Sequence, residues 1–336
     1  MNARLARALL AGALLPLALL APSCAKPEPS FRVALIGFQG GAQREERNAL
    51  AEYGRRRVEA ELGVEVDFIM PGSEGVIEEL FFPGEDAYDL VLSLGQDSSL
   101  DMLFARPPDT DIQAAALDLE VPQAVPGEGA ASLVRYRVEE GAYICGYLAG
   151  WLTSRTDHPL TNALPLAAFI GALDDPLVVY YNCGFTRGVQ AAAPTGGTHS
   201  YFLEESEDAA KARAYAEEAV KKGVDIFFCT PGSFNREVLE VAEEKSALVI
   251  LVGADRCGES PQHVLTSLLL RDDNAVFVAV RRALDGDLAA GRQAWGIEEG
   301  TWSLAPFHGH DPYIRKDIKE ALRQQEERVG EIDFSQ

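Results

Sequence analysis

Apolar residues along the chain follow two alternating patterns. Short continuous apolar runs are typical of strands buried on both faces of a parallel sheet, and apolar residues every three or four positions indicate amphipathic helices. The runs predict strands at 31–38, 64–70, 90–94, 112–117, 132–137, 165–172, 198–203, 225–229, 248–253, 264–270 and 301–305. The periodic segments predict helices at 43–62, 74–82, 98–104, 138–153, 176–192, 208–222, 233–245, 272–289 and 313–329. This alternation predicts an α/β fold with right-handed crossovers.

Small residues mark two of these helices as closely packed. Gly146 and Gly150 stand four apart in the helix at 138–153, and Gly184 and Gly188 stand four apart in a later helix. A ridge without side chains lets another backbone lie close against it. We therefore expect both helices to pack inside a soluble protein.

The chain is long enough for two lobes, each a parallel sheet flanked by helices, with a ligand cleft between them. It has 336 residues, 47% hydrophobic and 24% charged, which is an ordinary globular composition. The expected segments are 1–23 as an export signal, 24–30 as a tether, 31–155 with about 271–290 as the first lobe, 156–270 with about 291–306 as the second lobe, and 307–336 as a C-terminal helix and tail.

The N-terminal segment has the pattern of an export signal. Arg4 and Arg7 precede an apolar stretch at 8–21, and small residues then lead to Cys24. This resembles a bacterial lipoprotein signal, in which Cys24 receives the lipid and tethers the mature chain to a membrane. An ordinary secretory signal is the alternative, and the run is shorter than the ~20 residues that a membrane-spanning helix needs. We expect an exported protein of the cell envelope.

The charge of the chain argues against nucleic-acid partners. Residues 1–23 contain two arginines and no acidic residue, so their removal would change the formal net charge from −22 to −24. An acidic surface of this kind repels phosphate backbones and anionic lipid headgroups.

Four cysteines follow Cys24, and an even number in an oxidising compartment favours pairing. Cys229 and Cys257 each follow a predicted strand of the same lobe, which makes them the candidate disulfide. Another pairing, or four buried thiols, remains open. The spacings match no zinc ribbon.

Parallel sheets bind ligands at the carboxyl ends of their strands. The residues just beyond the predicted strands are those at 38–41, 95–97, 118, 174–175, 230–234 and 255. Some of them have an alternative structural role, since Gln96 and Gly232 stand where the next helix begins. Asp174 or Asp175 is expected to cap the helix opened by Pro176.

The chain shows no convincing sign of catalysis. It contains neither a GxSxG elbow nor a P-loop. His308-Gly309-His310-Asp311 has metal-like spacing but lacks a fourth ligand, and Cys145 and Cys183 have no histidine nearby. We expect a protein that is not an enzyme and that needs no metal or cofactor.

Several segments together resemble the basic membrane protein family, the purine-nucleoside-binding lipoproteins of ABC importers. They are VEEGAYICGYLAGWLT, AAFIGALDDPLVVYYNCGFTRGVQAAAP, YFLEESEDAAKARAYAEEAVKKGVDIFF, VGAD and VLTSLL, in this order. The resemblance runs from Phe31 to about Pro306. It implies a periplasmic-binding-protein fold of the sugar-binding type, with a nucleoside held between the lobes.

The family's ligand residues carry over only in part. In place of its Ser-Phe-Asn tripeptide, this chain has Arg47 at the aromatic position and retains Asn48. Asp118 is similar to an aspartate that follows a later strand of the first lobe, and Asp255 to one that binds ribose hydroxyls. The family's lysine after VLTS falls on Leu270.

The full set of candidate ligand contacts combines strand ends with this resemblance: Phe38, Gln39, Asn48, Gln96, Asp118, Phe185, Gly232 and Asp255. Phe38 stands where the family has an acid and offers a ring for stacking. Alternatives remain for two others, because Asn48 could cap a helix and Phe185 lies on an apolar stripe typical of core packing.

Together these observations predict a lipid-anchored receptor that binds a small polar solute, by resemblance a nucleoside or similar compound, and delivers it to an ABC permease. The alternative is a ligand-sensing lipoprotein that signals through a membrane partner. A third reading, an exported nucleoside hydrolase, would need carboxylates clustered in the cleft, for which Asp174, Asp175 and Asp255 are the candidates.

Overall fold

The structure, a computed structural model, describes residues 31–40, 42–71, 76–82, 84, 87–121 and 123–334, without side chains for residues 42, 43 and 76. The expected signal, the lipidation site Cys24 and the tether lie outside the described residues.

The strands of the described chain form two six-stranded sheets. The first consists of β1 (Arg32–Ile36), β2 (Glu65–Ile69), β3 (Leu90–Leu94), β4 (Gln113–Leu117), β5 (Ser132–Tyr136) and β11 (Gly291–Trp295), in the order β11-β5-β4-β3-β1-β2. The second consists of β6 (Leu166–Ala172), β7 (Gly197–Leu203), β8 (Ile226–Cys229), β9 (Leu248–Gly253), β10 (Val264–Leu270) and β12 (Trp302–Leu304), in the order β12-β10-β9-β8-β6-β7. Neighbouring strands are parallel except β12, which runs antiparallel to β10.

Helices cover both faces of each sheet, so the two predicted lobes and their parallel sheets are confirmed. The helices are α1 (Ala42–Leu62), α2 (Val76–Glu79), α3 (Gln96–Ala105), α4 (Val138–Arg155), α5 (Val178–Ala192), α6 (Ala209–Lys221), α7 (Asn235–Lys245), α8 (Asp272–Asp285) and α9 (Lys316–Val329). In β8, Phe228 points toward α5 and stacks on Phe185, whereas Phe227 joins the apolar cluster under α6 and α7. Alternate residues of a strand face opposite sides, so this apolar run is buried on both.

The glycine ridges bring α4 and α5 into backbone contact, so the close approach predicted for each ridge is confirmed, and the two ridges prove to face each other. A Cβ atom at Gly188 would overlap the carbonyl oxygen of Tyr143, and one at Gly184 would overlap that of Glu139. At Gly150 an added Cβ would lie 2.6 Å from the Val189 oxygen. Only glycine permits so close an approach of two helices.

Three connections link the lobes, and two of them differ from expectation. We expected 138–155 in the first lobe, but α4 packs against the second sheet, where its Gly141 faces Leu268 and Trp302. We also expected 291–306 in the second lobe, but β11 pairs with β5 of the first sheet and only β12 joins the second. The chain therefore crosses after β5, after β10 and between β11 and β12, and α8 returns to the first lobe beside α1 as expected.

The C-terminal segment lies against the second lobe. Helix α9 packs on α4, and the side chains of Cys183 and Arg187 donate hydrogen bonds to the carbonyl oxygens of Phe334 and Asp333. Among the described residues, we find no helix whose length and apolar content would let it cross a membrane.

The expected disulfide between Cys229 and Cys257 is not formed, because all four described cysteines are free thiols. Cys229 ends β8, whereas Cys257 opens a 3-10 turn that packs beside β10, on the far side of β9. Strands two places apart in a sheet are separated by about 9–10 Å, which exceeds the reach of a disulfide.

Candidate ligand-binding site

A cavity of about 820 Å³ opens between the two lobes at the carboxyl ends of their strands. Its walls come from segments that follow β1, β3 and β4 in the first lobe and β6, β7, β8 and β9 in the second. Parallel strands of one sheet all end at the same edge, so two facing sheets place polar loop residues on both sides of one space. Five of the predicted contacts line it: Phe38, Gln39, Gln96, Asp118 and Gly232.

Two predicted contacts lie behind the wall. The side chain of Asn48 accepts a hydrogen bond from the Phe38 N–H (2.8 Å) and donates one to the Phe38 oxygen (3.1 Å), so it holds the turn after β1. Phe185 is fully buried in the core between α5 and β8. Phe185 thus has the core role that was open as its alternative, whereas Asn48 lies within α1 and braces the turn after β1 instead of capping a helix.

Asp255 also lies outside the cavity wall, although its neighbours Ala254 and Arg256 line it. Its carboxylate contacts His308 Nε2 at 2.7 Å and accepts the Cys257 N–H at 3.1 Å. The chain after β9 turns into the 3-10 helix at Cys257–Glu259, which directs the Asp255 side chain away from the cleft.

Arg47 is the centre of a buried charge network at the base of the cleft. Its guanidinium donates two hydrogen bonds to Asp272, at 2.7 and 2.6 Å, and one to Asp118 at 2.7 Å. Tyr136 donates a further bond to Asp272 at 3.1 Å. Burial raises the pKa of Asp272 and the arginine opposes this; burial alone would lower the pKa of Arg47, but the two carboxylates raise it. The arginine is therefore a fixed cation.

Phe38 cannot offer a free stacking face, contrary to our expectation. The Arg47 guanidinium lies over its ring, 4.1 Å from the centroid, and the ring is only 4% exposed. The other aromatic residue among the described lining residues, Tyr181, is 1% exposed. Ring faces are covered here, so recognition depends on polar groups.

Asp118, which lines this space, has one carboxylate oxygen without a partner among the described residues. Its Oδ2 accepts from Arg47, and its buried Oδ1 has no hydrogen-bond partner among the described residues. The backbone at Asp118 has φ of 57°, a left-handed conformation that aspartate tolerates better than most residues. Buried acceptors without partners are rare in proteins and often mark functional sites.

The second lobe contributes a different pair of aspartates. Asp174 accepts from the Ser206 N–H and hydroxyl, both at 2.9 Å. Asp175 accepts the Leu177 N–H at 2.8 Å in the turn that precedes α5, whereas the N-cap position is Leu177, so neither aspartate caps this helix as expected. Burial raises the pKa of Asp175 to about 6, and the Asp118 carboxylate adds to this shift.

Two further arginines line the cavity, and both are paired with acids. Arg44 contacts Asp97 at 3.0 Å. Arg256 donates from Nη2 to Glu259 at 2.8 Å and from Nε to the same carboxylate. Its buried Nη1 has no partner among the described residues.

The two histidines with metal-like spacing point to different neighbours. His308 contacts Asp255, and His310 is buried against His158, with Nδ1 of His310 2.9 Å from Nε2 of His158. The part of the chain that the structure describes holds no group of three or more His, Cys, Asp or Glu side chains arranged for a metal.

Sequence reasoning missed several residues of this site. Asp272 is the first residue of a predicted helix, Arg256 follows the strand-end aspartate that we selected, and Tyr181 lies on an apolar stripe of its helix. The one available signal was position, because Arg256 and Asp175 lie three residues beyond predicted strand ends. No feature of the sequence predicted that Arg47 would form an ion pair with Asp272.

Comparison with known proteins supports this architecture. The sequence model of a family described as ABC transporter substrate-binding protein PnrA-like matches residues 126–332. A CD4+ T-cell-stimulating antigen of Listeria monocytogenes is 24% identical over 60% of this chain and 58% of its own length. Basic membrane protein B of Borreliella afzelii is 24% identical over 51% of this chain and 46% of its own length. A purine-binding protein of Brucella abortus is 23% identical over 59% of this chain and 53% of its own length. The chain therefore spans about half the length of these relatives.

Solved structures show the same fold. An ABC transporter solute-binding protein from Aeropyrum pernix matches with a TM-score of 0.64 and 20% identity, covering 91% of this chain and 93% of that one. Another from Conexibacter woesei matches with a TM-score of 0.63 and 18% identity, covering 90% and 98%. The two-lobed periplasmic-binding-protein fold predicted from the sequence is therefore confirmed.

Proposed function

Because the chain belongs to the Bmp family of PnrA-like ABC transporter substrate-binding proteins, as its resemblance predicted, we propose that it is a lipid-anchored receptor for a nucleoside or similar polar solute. The solute is held between the lobes and passed to an ABC permease. Cys24 carries the lipid.

The observation that carries this proposal is a set of unpartnered polar atoms in side chains that line the cavity. Asp118 Oδ1, Gln96 Oε1 and Arg256 Nη1 are buried and have no hydrogen-bond partner among the described residues. Leaving one such group unsatisfied costs about 1–3 kcal/mol. A polar ligand that bonds them would recover this energy, and both lobes would share in binding it.

The connections between the lobes suit a hinge. Each of the three crossings is a short segment at the end of a strand, where a few backbone angles can change without disturbing either sheet. Closure about these segments would bring Asp118 of the first lobe and Arg256 of the second onto one solute.

Support for a nucleoside comes from the relatives, one of which is named a purine-binding protein. In this chain the rings of Phe38 and Tyr181 are covered, so hydrogen bonds would select the base and ribose. No chemical change of the ligand is proposed, in keeping with a family of substrate-binding components.

Isothermal titration of the exported protein with adenosine, guanosine, inosine and uridine tests the ligand class. We expect heat of binding for at least one nucleoside, and Asp118→Asn should weaken that binding by about 1–3 kcal/mol because its bond to the ligand loses charge. Arg236→Gln, on the exposed face of α7, is the control and should leave the affinity unchanged. Absence of heat for all four nucleosides would contradict the nucleoside assignment.

The anchor and the transport partner need separate experiments. Radiolabelled palmitate should enter the wild-type protein and be absent from Cys24→Ser. Cross-linking in membranes should then recover an ABC permease. Recovery of a sensor domain instead would favour the signalling alternative.

A further inference from the structure

The wall of the cleft carries an excess of negative charge that its own cations do not neutralise. Eight acidic residues and three arginines line the cavity among the described residues. Each arginine is already ion-paired: Arg44 with Asp97, Arg47 with Asp118 and Asp272, and Arg256 with Glu259. A phosphate or carboxylate on the ligand would therefore find no arginine among these three that is not already paired with an acid.

Two acids of this wall remain partly unused, and they belong to opposite lobes. Asp118 of the first lobe has a side chain only 10% exposed, and its Oδ1 has no partner among the described residues. Asp175 of the second lobe makes no ion pair with any residue that the structure describes, and its Oδ1 accepts only a backbone N–H. Both residues line the same cavity, and the Asp118 carboxylate adds to the raised pKa of Asp175, which burial mainly causes and Arg47 partly opposes.

Closure of the lobes makes this arrangement unfavourable unless a cation intervenes. As the cleft narrows and loses water, repulsion between two carboxylates grows, because the distance and the local dielectric constant both fall. A neutral solute leaves the repulsion in place. A positive group between the carboxylates replaces it with two attractions, each a charge-assisted hydrogen bond.

We propose that the solute recognised in this cleft carries a positively charged group, a protonated amine or a guanidine, that binds between Asp118 and Asp175. This rests on the proposed solute-binding function and narrows its ligand class to polar solutes with a cationic group, including nucleosides that bear an amine. The uncharged remainder of the solute bonds Gln96 and Arg256. Phosphorylated compounds are excluded by the surplus of acids.

Matched compounds that differ in charge test this inference. The first series is adenosine, its 3′-amino and 5′-amino deoxy analogues, and adenosine 5′-monophosphate; the second is glucose, glucosamine and glucose 6-phosphate. Titration calorimetry at pH 7 and low salt should show that an amine of one series binds at least tenfold more tightly than its hydroxyl parent. The phosphate should bind most weakly in each series.

A variant of Asp175 locates the effect. Asp175→Asn keeps the size of the side chain and an oxygen that can accept the Leu177 N–H but removes the charge, so it should lower the amine's affinity at least tenfold and spare the neutral parent. Glu204→Gln, an exposed acid of the second lobe outside the cavity, is the matched control and should change neither. A thermal unfolding curve for each variant verifies that it is folded.

The outcomes separate this inference from the proposed function. A neutral parent that binds as tightly as its amines, or an amine preference that survives Asp175→Asn, overturns the cationic ligand while leaving a solute-binding protein. If only compounds of the sugar series bind, the nucleoside assignment is wrong. The comparison of glucosamine with glucose then still tests whether the ligand is cationic. Two series without any binding overturn both.

Discussion

The α4–α5 interface and the wall of the cleft show two opposite uses of buried space. In the interface, Gly146, Gly184 and Gly188 let two helix backbones touch, and the surroundings are apolar. In the cleft wall, Arg47 and Asp118 are nearly as buried, yet they carry charge and leave a polar atom without a partner. The first region gains stability from close packing, whereas the second gives up stability to keep groups ready for a ligand.

The two regions also differ in their place relative to the connections between the lobes. Helices α4 and α5 lie on one face of the second sheet, so their close packing makes that lobe a single body. The charged network lies beside the crossings, since Tyr136 ends β5 just before α4 and Asp272 begins α8 just after β10. Arg47 therefore connects the first lobe to two of the three connections. Four predictions test this contrast.

Loss of Arg47 should have the largest effect on stability. Arg47→Ala leaves the fully buried carboxylate of Asp272 without a cation, and breaking a buried ion pair in this way costs about 3–5 kcal/mol. Urea unfolding, monitored by circular dichroism, measures the change. Arg44→Ala is the control, because Arg44 is half-exposed and should contribute less than about 1 kcal/mol through Asp97. Equal losses in the two variants would show that the network is not buried in solution.

The second prediction concerns the packed interface. Gly188→Ala places a methyl group where the Tyr143 carbonyl oxygen lies, so α4 and α5 must separate along their length, at a cost of about 3 kcal/mol. Gly129→Ala is the matched control, since a Cβ there meets no atom within 4 Å. Urea unfolding should show a large loss for the first variant and almost none for the second. A stable Gly188→Ala would mean that the helices are less tightly packed than the structure shows.

The same contrast explains how far the sequence predicts this molecule. Close backbone packing on α4 and on α5 was predicted because small residues four apart leave a bare ridge on any helix, although the sequence did not show that the two ridges face each other. Strand β11 was missed because its sequence, GRQAW, alternates partly exposed residues and carries no apolar run. Helix α4 was placed in the wrong lobe because periodicity shows that a face is buried, without showing which sheet buries it.

The cleft was predictable in position but only partly in detail. The rule that ligands bind beyond strand ends placed Phe38, Gln96, Asp118 and Gly232 on the wall. The rule cannot say which way a loop side chain turns, and Asp255 turns away. Nor does hydropathy foresee a buried aspartate such as Asp272, whose partner is 225 residues away in the chain.

The third prediction concerns pH and the buried histidine pair under the C-terminal segment. The Leu160 N–H donates to His158 Nδ1, so Nε2 carries the proton and donates to His310. Burial, with His310 nearby, lowers the pKa of His158 to about 4, and burial also lowers that of His310. The fold therefore favours neutral His158. Its contribution is complete above pH 6.5 and is lost as the pH falls toward 4, by about 2 kcal/mol at pH 5.

His158→Asn should remove this part of the pH dependence. The measurement is the difference in unfolding free energy between pH 7 and pH 5 for the wild type and the variant. Asp175 and Asp225, whose pKa values burial raises to about 6, act in the opposite direction in both proteins and cancel in the comparison. His199→Asn, a substitution on β7 away from this pair, should keep the wild-type dependence. Equal dependence in wild type and His158→Asn would refute the neutral pair.

The smallest effect is expected at Asp255, the residue that the resemblance to the family favoured most. Its contact with His308 is about one-third exposed on both sides, and such pairs contribute under about 1 kcal/mol. Because the carboxylate faces His308 and Cys257 rather than the cavity, Asp255→Ala should change ligand affinity less than twofold, whereas Asp118→Ala should change it at least tenfold. Titration of both variants with the tightest-binding solute provides the measurement. A loss of ligand affinity in Asp255→Ala as large as that in Asp118→Ala would show that the loop after β9 turns into the cleft when the lobes close. The position of Asp255 outside the cavity wall would then hold only for the open form.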